Sequence, residues 1–229
     1  MSLLDHFRPP LSERRHWHAF HNSWATYLSS QLNESLPPGY FAEANVQHDI
    51  EIDVAALDEG TPAPFVPGWV PPAPRTVPLT LAFPLVEIAV FSRSGGPTLA
   101  GAVELLSPAN KDRPATRDAF VAKCASYLQA GVGLVIVDVV TERPGDLDRE
   151  LLAHLRVTPP DDPSPLYACA YRPVRIEEAV SLQLWREPLA LGRPLPTLPL
   201  WLRGGICLPL DLQSAYERTC REQRIAPAA

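Results

Sequence analysis

Glu87 and Glu104 are the first residues whose placement raises a chemical question. Each lies in a short apolar run, residues 85–91 and 98–106, and the Gly95-Gly96 pair separates the two runs. Two strand-like runs joined by Gly-Gly predict a tight β-hairpin. With Ser94 opposite Pro97, that register carries Glu87 directly across from Glu104 on one face, with Cβ atoms ~5 Å apart. Carboxylates that close repel unless a cation, a shared proton or a basic side chain sits between them. The nearby candidates are Lys111, which follows a break at Ser107-Pro108, and Arg117, Lys123 and Tyr127 on the next amphipathic segment. On a helical wheel Lys123 falls beside the apolar arc and Arg117 within it, where a guanidinium requires an acidic partner or an exit to water.

The elements that would position these groups are legible in the hydrophobic pattern. Residues 18–36 place Phe20, Trp24, Leu28 and Leu32 on one helical stripe, stopped by Pro37, Pro38 and Gly39. Residues 41–54 alternate apolar and polar and predict one half-buried strand, with His48 on its apolar face. Residues 85–91 and 98–106 supply two more strands. A helix capped by Thr116 is predicted to run to about Ala130, ending at Gly131, and the β-branched run 134–140 predicts a strand covered on both faces. The order is α-β-β-β-α-β, with a crossover helix that makes the last strand parallel to the third. Further strands are expected at 166–172 and 180–186, and a helix after Asp211. The expected fold is therefore α/β (α+β), a single domain over 1–229 with a core at about 16–140 and a proline-rich extension at about 141–229.

Composition bounds the partners. The chain has 229 residues, a formal charge of −6, and 46% apolar residues, enough to build a packed core. Its 27 prolines exceed the roughly 11 that average usage would give, and they crowd into residues 57–78 and the region after 158. No run approaches the ~20 apolar residues that span a bilayer, and the first residues carry no signal-peptide pattern. Cys124, Cys169, Cys207 and Cys220 are scattered and form no CxxC pair, as expected of reduced thiols in a cytoplasmic protein. The acidic balance argues against a broad nucleic-acid surface and leaves room for a local site that acts on a phosphate. Nothing in the pattern identifies a protein partner or a homodimer.

The phrase VELLSPANK (103–111) with AFVAKCASYLQAGVGLVIVDVV (119–140) resembles the bacterial family called domain of unknown function 4058. The Trp17…Phe20-His21 segment, LPPGY (36–40) and LPLDLQ (208–213) extend that resemblance over nearly the whole chain. The E-x-L-S-P phrase, the K-x-x-x-Y helix and the closing G-V-x-x-x-x-V-D strand are also similar to the Uma-type endonucleases, relatives of the PD-(D/E)XK nuclease superfamily. That resemblance implies an α-β-β-β-α-β core. Glu104 matches the third-strand acid, Glu87 stands where the second strand carries an aspartate, and Lys123 matches a helix lysine used when the strand lysine is missing. The chain departs from the pattern in having no Pro-Asp before the site and Leu106 at the E-x-K lysine position.

The implied chemistry is metal-dependent phosphodiester hydrolysis on nucleic acid. Glu87 and Glu104 would hold Mg²⁺ through oxygen, and Lys123 or Lys111 would orient water or stabilise the transition state. The alternative is a catalytically inactive binding or scaffold module on the same fold. Other residues carry blander expectations. His16, His18 and His21 have a zinc-like spacing, but one helix cannot close a four-ligand site. Asp138 interrupts an apolar strand and is expected to be paired as a structural acceptor. Ser107 and Asn110 are expected to fix a sharp strand exit.

Overall fold

The computed structural model describes the chain except for residues 49, 60–67, 80–96, 162–163, 178 and 226–229, and the side chains of residues 46–51. The described elements are α1 (Leu11–Arg14), α2 (Trp17–Ser35), β1 (Tyr40–His48), β2 (Ile50–Asp58), β3 (Arg75–Pro78), β4 (Thr98–Leu105), α3 (Pro108–Asp112), α4 (Pro114–Gln129), β5 (Gly133–Asp138), α5 (Leu147–His154), β6 (Tyr167–Ile176), β7 (Ala179–Pro188), β8 (Thr197–Trp201), β9 (Cys207–Asp211) and α6 (Leu212–Glu222). Seven strands form a mixed, mostly antiparallel sheet in the order β1-β2-β4-β5-β6-β7-β3, in which β4 and β5 are parallel. β8 and β9 make a separate two-stranded ribbon. The fold is α+β. Among the described residues, no helix is long and apolar enough to cross a membrane.

Two hydrophobic layers enclose the sheet. On one face α2 buries Phe20, Trp24, Leu28 and Leu32 together with residues of α6, β8 and β9. The N-terminal segment closes this layer through buried Leu3 and through His6, whose Nε2 lies 2.8 Å from the Tyr216 hydroxyl. On the other face α4 buries Phe120, Val121, Cys124 and Leu128 with Leu147, Leu151 and Leu152 of α5. β5 lies between the layers with all six of its residues buried, which is why it reads as a continuous apolar run. α4 begins at Pro114, ahead of Thr116. The Thr116 hydroxyl accepts the Arg113 backbone N–H at 3.1 Å, so it acts from the third helical position rather than as the cap itself.

The run 41–54 is not one strand. It reverses into the antiparallel pair β1–β2, with Ala42 opposite Ala56 and Ala44 opposite Val54. Partners in this register share parity, so an even-residue apolar pattern runs through the reversal unbroken and hides it. The three antiparallel strands before the crossover helix are thus β1, β2 and β4. The expected strand at 85–91, with its Gly95-Gly96 turn, lies outside the described residues, as does the His48 side chain.

α5, β8 and β9 were not expected, nor were the short α1, α3 and β3. α5 is capped by Asp146, whose carboxylate accepts the Arg149 N–H, and β8 and β9 sit in the proline-rich tail. Pro199 faces Pro209 across that ribbon. A two-stranded ribbon leaves one edge of each strand unpaired, so a missing N–H is tolerated there. The described end of the proline-rich segment 57–78, β3, pairs with β7 at the far edge of the sheet from β1. All four cysteines are free and buried.

On β5, Gly133 packs tightly against the ribbon: an added Cβ would stand 2.0 Å from the Trp201 carbonyl oxygen. Gly133→Ala must push β8 away from β5, and a loss of at least about 2 kcal/mol of stability is expected in urea denaturation. Wild-type stability in that variant would show that the ribbon does not pack on the sheet as described.

Candidate functional site

The site forms where β2 and β4 part. Their ladder runs from Asp58 opposite Thr98 to Val54 opposite Val103. Beyond it, the Leu106 N–H turns toward β5 and donates to the Val137 carbonyl at 2.9 Å. Neighbouring residues of a strand direct their backbone groups to opposite sides, so those of Leu105 turn toward β2. Side chains satisfy them there. The Leu105 N–H donates to Asp53 Oδ2 at 2.7 Å, and its carbonyl accepts from His21 Nε2 at 2.9 Å. β2 changes phase at this point: Ile52 packs in the α4 layer and Val54, two residues on, in the α2 layer. On β1, between the residues facing Val54 and Ile52, Asn45 adopts a left-handed φ of 55°. Irregularities of this kind re-aim a side chain next to a site.

Glu104 is the second carboxylate. It is buried at 2% exposure on the α4 side, and its Oε2 accepts a hydrogen bond from Lys123 Nζ at 2.7 Å. The Tyr127 hydroxyl makes a long contact of 3.4 Å with Oε1. Burial pushes the Glu104 carboxyl up to about 8. The Lys123 ammonium opposes that shift and the Asp53 charge reinforces it. Burial acts to lower Lys123 too, but Glu104 outweighs it and holds the ammonium above its ordinary value. For His21, burial is outweighed by the bond and ion pair with Asp53 and by contacts to Leu105 and Asn22. Its imidazole rises to about 9 and is cationic at neutral pH. A half-buried acid and a buried one are thus compensated from opposite faces of the sheet, Asp53 by α2 and Glu104 by α4.

These groups open into a cleft of about 440 Å³ lined by Asp53, Glu104, Lys123, His21, Trp17 and the Ser107–Asn110 turn. The turn is fixed by Asn110 Oδ1, which accepts both the Ser107 N–H and the Ser107 hydroxyl at 2.8 Å. The Trp17 indole N–H is buried with no hydrogen-bond partner among the described residues. At the rim, His18 Nε2 lies 3.2 Å from the Asn22 amide.

Of the residues expected from sequence, Glu104 and Lys123 come together here. Glu87 lies outside the described residues. The acid brought beside Glu104 is Asp53. Its signal was present as a polar residue facing inward on the second strand, but only once the β1–β2 reversal is known. Lys111 is elsewhere: it is buried with Nζ 2.7 Å from Asp138 Oδ2. That pair answers the question posed by Asp138, whose other oxygen accepts the Val140 N–H. Arg117 finds its acid in Glu150 at 3.2 Å.

Asp53, Glu104 and the Leu105 carbonyl are hard oxygen donors of the kind that Mg²⁺ and Mn²⁺ take. Among the described residues, no group of three or more His, Cys, Asp or Glu side chains could hold a metal ion. A cation in this cleft would therefore draw on backbone oxygen or water besides the two carboxylates. No family model matches the chain, and no curated protein or solved structure matches it either.

Two outcomes test this geometry. The folded His21 pKa lies above the unfolded value near 6.5, so its contribution to stability is full below about 6.5 and is lost as pH rises through about 9. Denaturation between those values should show wild type losing stability that His21→Gln lacks; parallel curves would contradict the ion pair. Lys111→Met leaves Asp138 buried and uncompensated, and should cost about 3–5 kcal/mol. Lys111→Met combined with Asp138→Asn should recover much of that loss. A single variant as stable as wild type would refute the pairing.

Proposed function

We propose that the cleft carries out metal-dependent phosphodiester hydrolysis on nucleic acid, on a PD-(D/E)XK-like core. The order α2-β1-β2-β4-α4-β5 supports this reading: a helix, three antiparallel strands, a crossover helix and a strand parallel to the third. The single observation that carries it is the meeting of Asp53, Glu104 and Lys123 in one cleft at the point where two adjacent strands separate. Asp53 takes the second-strand role expected of Glu87. Leu106, at the strand-lysine position, is fully buried beneath α4, and Lys123 reaches Glu104 from that helix instead.

Asp53, Glu104 and the Leu105 carbonyl would hold the cation. A bound dication supplies charge neutralisation at the phosphate and lowers the pKa of its water. Asp53 is held by the Leu105 N–H and His21, so one carboxylate is preorganised. Glu104 must be ionised to ligate, and Lys123 beside it favours that form. Lys123 is also the group placed to stabilise charge developing on a phosphate or to orient water, as His21⁺ is from the opposite wall. A dication competes with both cations for the same two acids, which sets its affinity. The same internal compensation favours the second reading, a binding module that needs no metal.

Mn²⁺ calorimetry and hydrolysis of bis(p-nitrophenyl) phosphate separate the two readings. Wild type should bind the ion and turn over, with affinity rising as pH passes about 8 and Glu104 ionises. Asp53→Asn and Glu104→Gln should each lower turnover about 100-fold or more. No heat and no turnover in wild type would leave the binding module as the function.

A further inference from the structure

A second, larger cavity of about 660 Å³ adjoins the cleft. α3 divides them: Pro108, Ala109 and Asn110 line the cleft, and Lys111 lines the cavity. Leu105 at the end of β4 borders the first space, and Val140, just beyond β5, borders the second. The two therefore lie side by side at the carboxyl ends of parallel strands. The N-terminal region closes both, with Trp17 and His21 on the cleft and Asp5 and Arg8 on the cavity.

Lys111, the buried cation of the cavity, is matched to Asp138 at 2.7 Å, whereas Arg8 is 67% exposed and only loosely paired to Asp5 at 3.8 Å, so both of the latter keep hydrogen-bonding capacity toward the cavity. Arg149 donates to the Pro160 carbonyl at 2.7 Å. Val140, Pro165 and Leu191 supply apolar wall, and Leu191 is 44% exposed although large and apolar. Donors (Arg8, Arg149), acceptors (Asp5, Glu142) and apolar faces in a space of this size suit a nucleobase, whose edges need both kinds of partner and whose faces need neither.

Resting on the hydrolase reading above, we infer that this cavity seats the base next to the scissile phosphate, and that the substrate is single-stranded nucleic acid. A base enters it only by leaving a helical stack. A duplex would have to unpair first.

The test compares the full chain with Mn²⁺ on bis(p-nitrophenyl) phosphate, a short single-stranded oligodeoxynucleotide and the duplex of the same sequence. Unpairing costs a few kcal/mol, so kcat/KM for the single strand should exceed that for the duplex at least about tenfold. Leu191→Trp fills the cavity from its exposed rim. It should lower the ratio of single-strand to bis(p-nitrophenyl) phosphate kcat/KM about tenfold. Arg8→Gln, at a surface position, should lower the same ratio if the Trp variant does not fold. Equal cleavage of single strand and duplex, or a ratio that neither variant moves, overturns this inference alone. Absence of bis(p-nitrophenyl) phosphate hydrolysis by wild type overturns the hydrolase reading beneath it.

Discussion

At Leu105 the backbone of β4 loses its strand partner while still inside the protein, and an unpaired peptide group there would cost about as much as a lost hydrogen bond. Asp53 takes the N–H and His21 takes the carbonyl. Everything at the site follows from that replacement. It draws a carboxylate into the gap between two strands, fixes α2 over the end of the sheet through His21, and leaves Glu104 next door on the opposite face. A regular ladder would have sealed this end of the sheet. The phase change in β2 and the left-handed Asn45 on β1 are the local distortions that accompany it.

Charge compensation then determines what the opening can do. Buried acids are tolerated only when paired, and here each has its own cation from a different helix. The Lys111–Asp138 pair solves the same problem one strand away without opening a carboxylate to the cleft. The contrast is informative: Lys111 and Asp138 are matched one to one and almost sealed, whereas Asp53, Glu104, His21 and Lys123 form a cluster of four ionisable groups facing an open space. Of these two, the cluster is the one whose acids open onto space that an incoming cation could enter.

Much of the framework was legible in the sequence because its determinants are local. The helix stripe of α2, the apolar run of β5, the Gly131 stop after α4 and the Asp211 cap of α6 each depend on nearby residues. Glu104 and Lys123 were legible for the same reason: a carboxylate on an apolar strand and a lysine at the edge of a helix's apolar arc both ask for partners. Asp53 was not, because the reversal between β1 and β2 preserves parity and leaves the alternation intact. Lys111 was one of several candidate partners for Glu104, and its pairing with Asp138 was not legible because seven residues of separation say nothing about which side of a short helix the side chain takes. The ribbon β8–β9 was hidden by prolines that would break a central strand and are harmless at an unpaired edge.

The central claim is that the parted ends of β2 and β4 form a cation site built on Asp53 and Glu104. Anomalous diffraction from crystals equilibrated with Mn²⁺ addresses it without reference to substrate. The account predicts a manganese peak within about 2–2.5 Å of oxygens from both carboxylates. A map with no peak there, and with the His21–Asp53 and Lys123–Glu104 pairs intact at saturating Mn²⁺, would contradict it.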